Sequence, residues 1–589
     1  MRLIVDPRDG DIEDDASSTK RHSLLSLAGS MLVEVSFAKL LAAWVVLILL
    51  PGVLLGLAPL LLTAWLSITI HKAAALAGIG SLIVLCLVAA AGLLGLRHLF
   101  GIVEQCFWSL TALLVQPIYA LAREGMRHAA EHYFKGSSSE ARRERIRATG
   151  AAIAGVLVFA CAAAIAICVW PFTQWTGSFS NLTYPLTLLP AALANMVVLV
   201  VGYLGVGSLF WGIADTSMEQ PRSQPPSGNA DRASSKWRIA HLSDIHLVGE
   251  RYGYRIECGR DGPSGNRTFE AVLDRLETMH AEQPLDFIII TGDLTDAGRS
   301  SEWAEFWDAV TKHPTLLERM LVLPGNHDIN VVDRANPARF ELPISPGKRL
   351  RQMRALSSIC GIQGSRAHVV DPEHYQLGAP LKDAIASHIE AIKAFAEAGG
   401  VGVSWKLGRV WSDVFPLVVP PAAEDGLGIV LLNSNAEANF SFTNALGLVP
   451  FEDAKALLSV IRDHPKACWL VALHHHLVEY PMPAEAFSER IGTALINGSW
   501  LVRELKPFAR RIAVLHGHRH IDWIGACGQL RIISAPSPVM PAKRGARPAF
   551  YVHTFGTSTD GLTLLASDQF EMPEPLSQER DQTSLAVGQ

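Results

Sequence analysis

Four long apolar runs dominate the first third of the chain, and the rest alternates between short apolar segments and polar stretches. None of the four runs contains Asp, Glu, Lys or Arg; they cover Leu40–Ile70, Ala73–Leu96, Ala148–Trp170 and Leu186–Ile213. A helix needs roughly 20 apolar residues to cross the hydrocarbon core of a bilayer, so each run is long enough to span a membrane. We therefore predict an α-helical membrane domain of four spans over residues 39–213.

The distribution of Lys and Arg around these runs predicts their orientation. Residues 123–147 contain seven basic side chains, whereas Pro171–Pro185 contains none. Loops rich in Lys and Arg stay in the cytoplasm, so four spans place the N-terminus and the C-terminal part inside the cell. We expect an integral protein of a bacterial inner membrane, with the lipid bilayer as its partner. The uncharged segment Gln105–Ala122 is interpreted as an interfacial or packed helix, since a fifth span would place the C-terminal part outside.

Changes in composition predict the domain boundaries. Residues 1–38 are polar and acidic, which is typical of a disordered cytoplasmic N-terminus. Residues 214–236 are rich in Ser, Pro and Gln and are predicted to be a flexible linker. A soluble domain is predicted over residues 237–566, with an insertion at 329–425 and a disordered tail at 567–589.

Six short runs rich in Val, Ile and Leu are typical of buried strands. They are predicted at Trp237–Leu242, Phe287–Thr291, Met320–Leu323, Gly428–Leu432, Cys468–Leu473 and Ile512–Leu515. Longer stretches with helical spacing separate them, at residues 268–280, 301–312, 381–398, 454–462 and 486–505. This alternation predicts an α/β domain. A further strand is predicted within the insertion, near Val410–Val419.

Composition excludes several functional classes. Hydrophobic residues make up 49% of the chain and charged residues 18%, which excludes a largely disordered protein. The net charge of −5 argues against a broadly cationic nucleic-acid binder, so we expect no nucleic-acid partner. The eight cysteines form no CxxC motif, so neither a disulfide framework nor a cysteine zinc site is expected.

Five of the predicted strands run directly into residue types that bind metals. These segments are Ser243–His246, Gly292–Asp293, Pro324–Asp328, His474–His476 and His516–His520. The carboxyl ends of strands in an α/β sheet share one edge, so we expect the five segments to converge. Carboxylate, imidazole and amide oxygen together suit divalent ions such as Mn²⁺, Fe²⁺ or Zn²⁺. Two such ions about 3.5–4 Å apart can hold a bridging hydroxide and clamp a phosphoryl group.

This ordered set of motifs resembles the calcineurin-like metallophosphoesterases. Asp-x-His, Gly-Asp, Gly-Asn-His-Asp, a strand-end His and Gly-His-x-His follow one another between Trp237 and Leu565. The residues around the first two motifs look closest to the cyclic-nucleotide phosphodiesterase-like branch. The resemblance implies a two-sheet β sandwich flanked by helices, with a dinuclear metal site.

The resemblance also implies a role for each motif residue. One ion is implied at Asp244, His246, Asp293 and His520, and a second at Asp293, Asn326, His474 and His518, with Asp293 bridging. His327 is implied to be catalytic beside the phosphate, with Asp328 holding its ring. Taken singly, some of these residues have ordinary alternatives, since Asp244 could cap a helix and Asn326 could lie in a turn.

Other residues near the motifs are interpreted as structural. His475, His476 and His516 are the histidines that we interpret as structural. Solvated surface charge is favoured over phosphate contact for Arg519, Lys543, Arg544 and Arg547. Two features differ from many relatives. Leu477 follows the paired histidines at a position where proline is common. The insertion at 329–425 is long. We favour a lid or cap for the insertion over a surface subdomain.

Two functions fit these observations. The favoured one is a membrane-anchored, dinuclear-metal phosphoesterase, whose substrate is a phosphodiester or a phosphomonoester. A cyclic nucleotide, a nucleotide-linked lipid and a phospholipid head group are all compatible. The alternative is a non-catalytic, metal-stabilised sensor or partner-binding module. No predicted ligand is degenerate, and the apolar runs lack the internal charges that transport usually requires, so the enzyme is preferred.

Overall fold

A computed structural model describes most of the chain in two compact units. The described residues are 3–9, 11, 41, 45, 49–75, 111–133, 140–178, 185–226, 234–251, 264–333, 339, 341–342, 345–438, 441–482, 495–540, 547–558 and 561–573. A helical unit extends from Val35 to Met218. An α/β unit combines Met1–Glu34 with nearly all of the chain from Glu219 onward.

The described part of the helical unit contains four α-helices. They are α1 (Leu50–Ala75), α2 (Gln116–Tyr133), α3 (Glu140–Val169) and α4 (Leu189–Thr216). Three described helical segments are long and apolar enough to cross a membrane: Leu50–Thr69, Glu144–Phe172 and Leu189–Thr216. The other predicted span, Ala73–Leu96, lies outside the described residues from position 76 onward. The count of four spans therefore stays a prediction.

Small residues bring these helices close together. A Cβ atom added at Gly56 of α1 would lie 1.8 Å from the carbonyl oxygen of Ala192 in α4, so only glycine fits there. Gly155 of α3 makes a similar approach to Gly212 of α4. Helices in lipid associate through such small residues because the backbones can then come into contact.

The segment that leads into α2 runs parallel to α4. A hydrogen bond of 2.6 Å joins the hydroxyls of Thr111 and Tyr203, and further along Arg123 donates to Asp215 at 2.7 Å. Residue numbers rise together along both helices, so they point in the same direction. The described residues 111–122 are thus helical and packed against α4, and the choice between a packed helix and a fifth span for Gln105–Ala122 stays a prediction.

The α/β unit contains two sheets. Its strands are β1 (Pro221–Ser223), β2 (Ser235–Leu242), β3 (Phe287–Ile290), β4 (Met320–Val322), β5 (His368–Val370), β6 (Leu377–Pro380), β7 (Leu417–Val419), β8 (Leu427–Leu431), β9 (Cys468–Ala472), β10 (Ile512–His516), β11 (Trp523–Cys527), β12 (Leu530–Ser534), β13 (Ala549–Ser558) and β14 (Gly561–Glu571). Nine strands form one sheet in the order β1-β11-β12-β10-β9-β8-β7-β5-β6. The other sheet has the order β14-β13-β2-β3-β4. The two-sheet α/β architecture agrees with the prediction.

Parallel strands form the middle of the larger sheet and one side of the smaller sheet, and helices lie between most of them in sequence. β2, β3 and β4 are parallel neighbours in the smaller sheet, and β8, β9, β10 and β12 are parallel neighbours in the larger. The helices are α5 (Ser264–Glu282), α6 (Ser300–Val310), α7 (Pro314–Leu317), α8 (Asn326–Ile329), α9 (Pro346–Gln363), α10 (Leu381–Ala384), α11 (Ile389–Ala398), α12 (Val401–Val414), α13 (Phe451–Asp463) and α14 (Gly498–Leu505).

All six strands predicted outside the insertion are present, with ends within two residues of the expected ones. The strand predicted near Val410–Val419 is largely wrong, because α12 continues to Val414 and β7 begins only at Leu417. Leu407, Trp411 and Val414 are buried at helical spacing, so this apolar stretch covers the core as one face of a helix.

The insertion is part of the main fold. Its strands β5, β6 and β7 extend the nine-stranded sheet beyond β8. Leu350, Leu381 and Trp411 of the insertion belong to the same buried core as Ile288 and Leu470 of the two sheets. A separate surface subdomain would have a core of its own. The role of the insertion as a lid stays a prediction.

Three segments predicted to be disordered or flexible contain ordered residues. Pro221–Ser223, within the predicted linker, pairs with β11, and β14 continues through the start of the predicted tail to Glu571. Residues 3–9 and 11 belong to the α/β unit, where the side chains of Pro7 and Asp11 are buried. Sheet edges and buried partners hold these segments despite their polar composition, because an edge strand can pair with almost any extended segment.

Candidate metal centre

The predicted ligands lie at the carboxyl ends of parallel strands in both sheets. Asp244 and His246 follow β2, Asp293 follows β3 and Asn326 follows β4 of the smaller sheet. In the larger sheet His474 lies two residues after β9, and His518 and His520 follow β10. The five segments that were expected to meet at one sheet edge therefore come from the edges of two sheets.

One group of ligand atoms is formed by Asp244, His246 and His520. One ligand atom from each lies within 4.8 Å of those of the other two. Nε2 of His520 is 3.3 Å from Oδ1 of Asp244. His246 also reaches toward Asp293, with 3.6 Å between Nε2 and Oδ2.

A second group is formed by Asp293, His474 and His518, again within 4.8 Å. Nε2 of His474 is 3.3 Å from Oδ2 of Asp293 and 3.0 Å from Nδ1 of His518. The side-chain oxygen of Asn326 is 3.1 Å from the same Nε2. The structure thus brings all seven predicted ligands together and places Asp293 between the two groups.

Several of these polar atoms are buried without a hydrogen-bond partner. In the described part of the chain they include Oδ1 of Asp244, both ring nitrogens of His246 and Nε2 of His518. Buried polar atoms are normally paired, because an unpaired one costs free energy. Unpaired carboxylate and imidazole atoms that face one another match the donor set of a divalent transition-metal ion. The residues present therefore fit the two ions that the motifs imply.

The electrostatics of the site favour the metal-binding form of Asp293, His246 and His518. Burial alone would raise the pKa of Asp293, but the nearby His474 and His327 rings hold it well below the usual value. Burial and the neighbouring His327 lower the pKa of His246 to about 3. Burial similarly lowers the pKa of His518 well below its usual range. An ionised carboxylate and neutral imidazoles are the forms that bind metal ions. At His474 burial alone would lower the pKa, but the Asp293 carboxylate raises it to about 9, so an ion would displace a proton there.

The backbone at the site is unusual. Five of the seven predicted ligands have positive φ: Asp244 (57°), His246 (47°), Asp293 (51°), His518 (74°) and His520 (52°). Among the described residues only one other non-glycine residue, Tyr375, has a positive φ. Such conformations cost about 1–3 kcal/mol each and persist where the surrounding structure enforces them, often at functional sites.

Two motif glycines allow the strand ends to approach one another. A Cβ atom at Gly325 would lie 2.1 Å from Oδ1 of Asp293, and one at Gly517 would lie 2.5 Å from Oδ2 of Asp244. Any side chain at these positions would displace a carboxylate of the site. The glycines are thus needed for space around the ligands.

His327 borders the ligands and is half-buried. Its Nδ1 donates a hydrogen bond to the carbonyl of Asp296 at 2.6 Å, and its backbone N–H donates to Oδ1 of Asp293 at 2.8 Å. The ring stands edge-on to His246, with 4.6 Å between ring centroids. His520 is the other partly exposed member of the site, so the site opens to solvent on the side of these two rings.

Asp328 has a different role from the one that the resemblance implies. Its carboxylate accepts hydrogen bonds from the N–H groups of Leu294 (3.2 Å), Thr295 (2.8 Å) and Gly325 (2.8 Å). The hydrogen bond that holds the His327 ring is donated by its own Nδ1 to the carbonyl of Asp296 instead. Asp328 therefore joins two metal-binding loops, because its short side chain reaches their backbone N–H groups from inside the turn.

Asp296 is a site residue that the sequence reasoning missed. It is fully buried, its carbonyl orients His327, and its carboxylate lies 3.8 Å from Nδ1 of His246. Its position at the end of the Thr-Gly-Asp-Leu-Thr-Asp segment, three residues after Asp293, could have indicated that Asp296 belongs to the site. A carboxylate beside a metal-binding histidine commonly orients the ring.

A structural role for the residues next to the ligands stays a prediction, because burial alone does not test it. His475, His476 and His516 are buried. Arg519 was expected to be solvated, which is wrong: it is buried and its NH1 lies 3.2 Å from Oε2 of Glu479. Arg547 is exposed, and Lys543 and Arg544 lie outside the described residues.

Comparison with known proteins agrees with this geometry. Residues 238–522 match the family described as calcineurin-like phosphoesterase. A calcineurin-like metallophosphoesterase domain occupies this part of the chain. Metallophosphoesterase 1 of Gallus gallus is 31% identical over 109 residues, which cover 18% of this chain and 25% of that protein.

Among solved structures, a similar one is a purple acid phosphatase isolated from seeds of yellow lupin (Lupinus luteus). It is 12% identical, with a TM-score of 0.28, and the match covers 59% of this chain and 55% of that one. The chain thus spans about a quarter of the curated relative and about half of this phosphatase.

Proposed function

We propose that the chain is a membrane-anchored phosphoesterase that uses two divalent ions, either Mn²⁺, Fe²⁺ or Zn²⁺. The position of Asp293 carries this proposal. Its Oδ2 lies 3.6 Å from Nε2 of His246 and 3.3 Å from Nε2 of His474, and these two histidines belong to different ligand groups. A carboxylate between two such groups can bridge two ions.

Each ion has its own set of ligands in this proposal. One would be held by Asp244, His246, Asp293 and His520, and the other by Asp293, Asn326, His474 and His518. When bound, two such ions supply Lewis acidity toward a phosphoryl group and an activated water molecule. The chain itself positions the ligands through the left-handed backbone at five of them and through Asp328, which joins two of the loops.

His327 is the proposed acid. Its Nδ1 proton is engaged by the Asp296 carbonyl, so Nε2 is the nitrogen available to substrate. Burial lowers the pKa of His327, but Asp293 and Asp296 outweigh that effect and raise it. Without ions the ring therefore favours a second proton on Nε2, and the proposal assigns this proton to the leaving oxygen of the substrate. Such general acid catalysis is typically worth about 10²–10⁴-fold in rate.

The proposed location is a membrane with the catalytic domain in the cytoplasm. The basic residues of 123–147 support the cytoplasmic side. Residues 3–9 and 11 precede the first apolar helix, yet they pack in the α/β unit, which follows the last one. Both ends of the membrane region then lie on the same side of the membrane. This requires an even number of crossings, in agreement with four spans.

A phosphoester panel tests this function. The full chain, purified in detergent, would be assayed after loading with Mn²⁺, Fe²⁺ or Zn²⁺. The panel contains bis(p-nitrophenyl) phosphate, p-nitrophenyl phosphate, cyclic nucleotides, nucleotide-linked lipids and phospholipids. The full chain is preferable to a fragment that begins at the linker, because residues 3–11 contact the catalytic domain. Metal-dependent hydrolysis of at least one ester is expected. Two bound ions without hydrolysis would favour the non-catalytic sensor or partner-binding module.

A further inference from the structure

A buried ion pair joins the N-terminal segment to the catalytic domain. Arg354, on helix α9, donates from Nε to Oδ2 of Asp11 at 2.5 Å and from NH2 to Oδ1 at 2.6 Å. Both residues are only 3% exposed. Paired, parallel hydrogen bonds between guanidinium and carboxylate fix the geometry as well as the charge. The two residues are separated in sequence by the whole membrane region.

The same guanidinium also contacts the loop that carries the bridging carboxylate. NH1 of Arg354 donates to the carbonyl of Gly298 at 2.9 Å. Gly298 lies at the end of the loop that follows β3, which contains both Asp293 and Asp296. Asp11 is therefore two hydrogen bonds away from the backbone of the metal-binding loop.

The loop is held from two sides. At its start, the carboxylate of Asp328 accepts from the N–H groups of Leu294 and Thr295. At its end, Gly298 has φ of 67°, and a Cβ atom there would lie 2.4 Å from the carbonyl oxygen of Asp328. The contact with Arg354 holds this crowded end.

Residues before Asp11 dock along the same helix. The N–H of Val5 donates to Oγ of Ser357 at 2.9 Å, and the Ser357 hydroxyl donates back to the Val5 carbonyl at 3.0 Å. Ser357 lies about one turn after Arg354 on α9. Pro7 is buried, and Leu3 packs against the hydrophobic core of the domain. The segment thus has both an apolar and an ionic attachment.

Loss of Asp11 would remove the carboxylate that accepts two hydrogen bonds from a buried guanidinium. Removing one partner of a buried pair is strongly unfavourable, because the remaining charge has lost its water without replacement. Arg354 would then turn toward solvent, and the Gly298 carbonyl would lose its donor. The loop would gain freedom at the end nearest Asp296, whose carbonyl holds the His327 ring and whose carboxylate lies beside His246.

We propose that residues 3–11 are an activating segment of the catalytic domain, in which Asp11 is a positioning residue for loop Asp293–Gly298. This inference rests on the proposed phosphoesterase function. Docking of the segment orders the loop, and its release lowers metal binding and turnover. The N-terminus is then a point at which a cut or a competing partner would reduce activity.

Single substitutions in the full chain test the ion pair. For Asp11→Asn we expect faster amide hydrogen exchange in the loop 293–298. We also expect metal binding to weaken at least about tenfold and turnover to fall to a similar extent. Residues that support metal ligands commonly contribute about 10–100-fold to metal affinity or activity. Asp11→Glu should recover part of each effect. The matched control is Asp6→Asn, in the same segment, because Asp6 pairs with the half-exposed Arg8. It should leave all three readouts unchanged.

Complementation separates positioning from folding. A chain that begins at residue 12 should show the same exchange and metal defects, and a synthetic peptide of residues 1–11 should reverse them saturably. The Asp11→Asn peptide should not. Unchanged loop exchange and metal content in both the shortened and the Asp11→Asn chains would overturn the proposal, as would equal rescue by both peptides. A wild-type chain that binds metal but hydrolyses no ester would instead contradict the proposed function, while the exchange and metal readouts would still test the segment.

Discussion

The backbone carbonyl of Asp296 accepts a hydrogen bond of 2.6 Å from Nδ1 of His327. A carbonyl can only accept, so Nδ1 carries a proton and Nε2 is the nitrogen left for other contacts. The same Asp296 places its carboxylate 3.8 Å from His246, a predicted ligand. One residue therefore orients the proposed acid and places a carboxylate beside its nearest metal-binding neighbour.

Replacing His327 with alanine should separate catalysis from metal binding. We expect two bound ions and an intact fold, with activity on alkyl phosphodiesters lowered by about 10²–10⁴-fold, because their leaving oxygens need a proton. Activated aryl diesters should lose much less. Turnover of both substrate types, together with metal analysis, measures this. His374→Ala, whose side chain is 69% exposed, is the control. Equal losses on both substrates would indicate phosphate positioning, and lost metal would make His327 a ligand.

Replacing Asp293 with asparagine should affect both ions. The amide removes the negative charge that faces both His246 and His474, so we expect fewer than two bound ions per chain and turnover lowered by orders of magnitude. Metal content of the purified variant measures the first effect directly. Asp274→Asn, at a side chain that is 76% exposed, is the matched control. Two tightly bound ions in the Asp293 variant would show that the bridging assignment is wrong.

Membrane topology can be tested without reference to catalysis. Reporter fusions before the first span, within residues 134–139 and after Gln224 should all report the cytoplasm. The basic residues of 123–147 favour the cytoplasmic side, and the contact of Asp11 with Arg354 requires the N-terminal segment and the catalytic domain to lie on the same side. An external position of the fusion after Gln224 alone would imply an odd number of spans. It would also be incompatible with the buried ion pair.

The α/β domain should become less stable in mild acid, because the buried ring of His553 resists protonation in the folded state. Burial lowers the pKa of this ring to about 3, whereas in the unfolded chain it lies near 6.5. Above about pH 6.5 both states are neutral and the full stability is present. Below it the unfolded state binds a proton that the folded state cannot bind, so the free energy of unfolding falls by about 1.4 kcal/mol per pH unit until about pH 3.

Urea denaturation between about pH 7 and pH 5 measures this slope. His553→Gln should reduce the slope by about one proton's contribution, whereas His388→Gln, at an exposed position, should not change it. Identical slopes for wild type and His553→Gln would contradict the assignment. A steeper slope in the variant would do the same.

Much of the fold and of the site is predictable from local pattern. The run of Ile288, Ile289 and Ile290 is buried in β3, and it ends where Gly292 and Asp293 begin. A strand that is buried on both faces is a continuous hydrophobic run, which ends where the chain leaves the sheet. The candidate ligand positions could therefore be inferred from the strand ends. The shared edge of parallel strands then implied their convergence.

Side-chain partners within the site were less predictable. Asp328 and Asp296 both lie near His327 in sequence or in space, and only the folded chain shows that the Asp296 carbonyl holds the ring. The positive φ of His246 and His518 likewise has only a weak signal in residue type, since histidine is enriched at positive φ but most histidines have negative φ. Such strain is imposed by the surrounding loops.

The sequence by itself determined the apolar helices, the alternation of strands and helices, and the seven candidate ligands, because each is encoded in residues that lie close together in the chain. The tertiary structure alone decided that three strands of the insertion join the large sheet and that Asp11 pairs with Arg354. Local hydrophobic periodicity reports which residues a segment buries. A pairing of two polar residues 343 positions apart has no periodicity, and it becomes favourable only once the folded domain has buried both charges together.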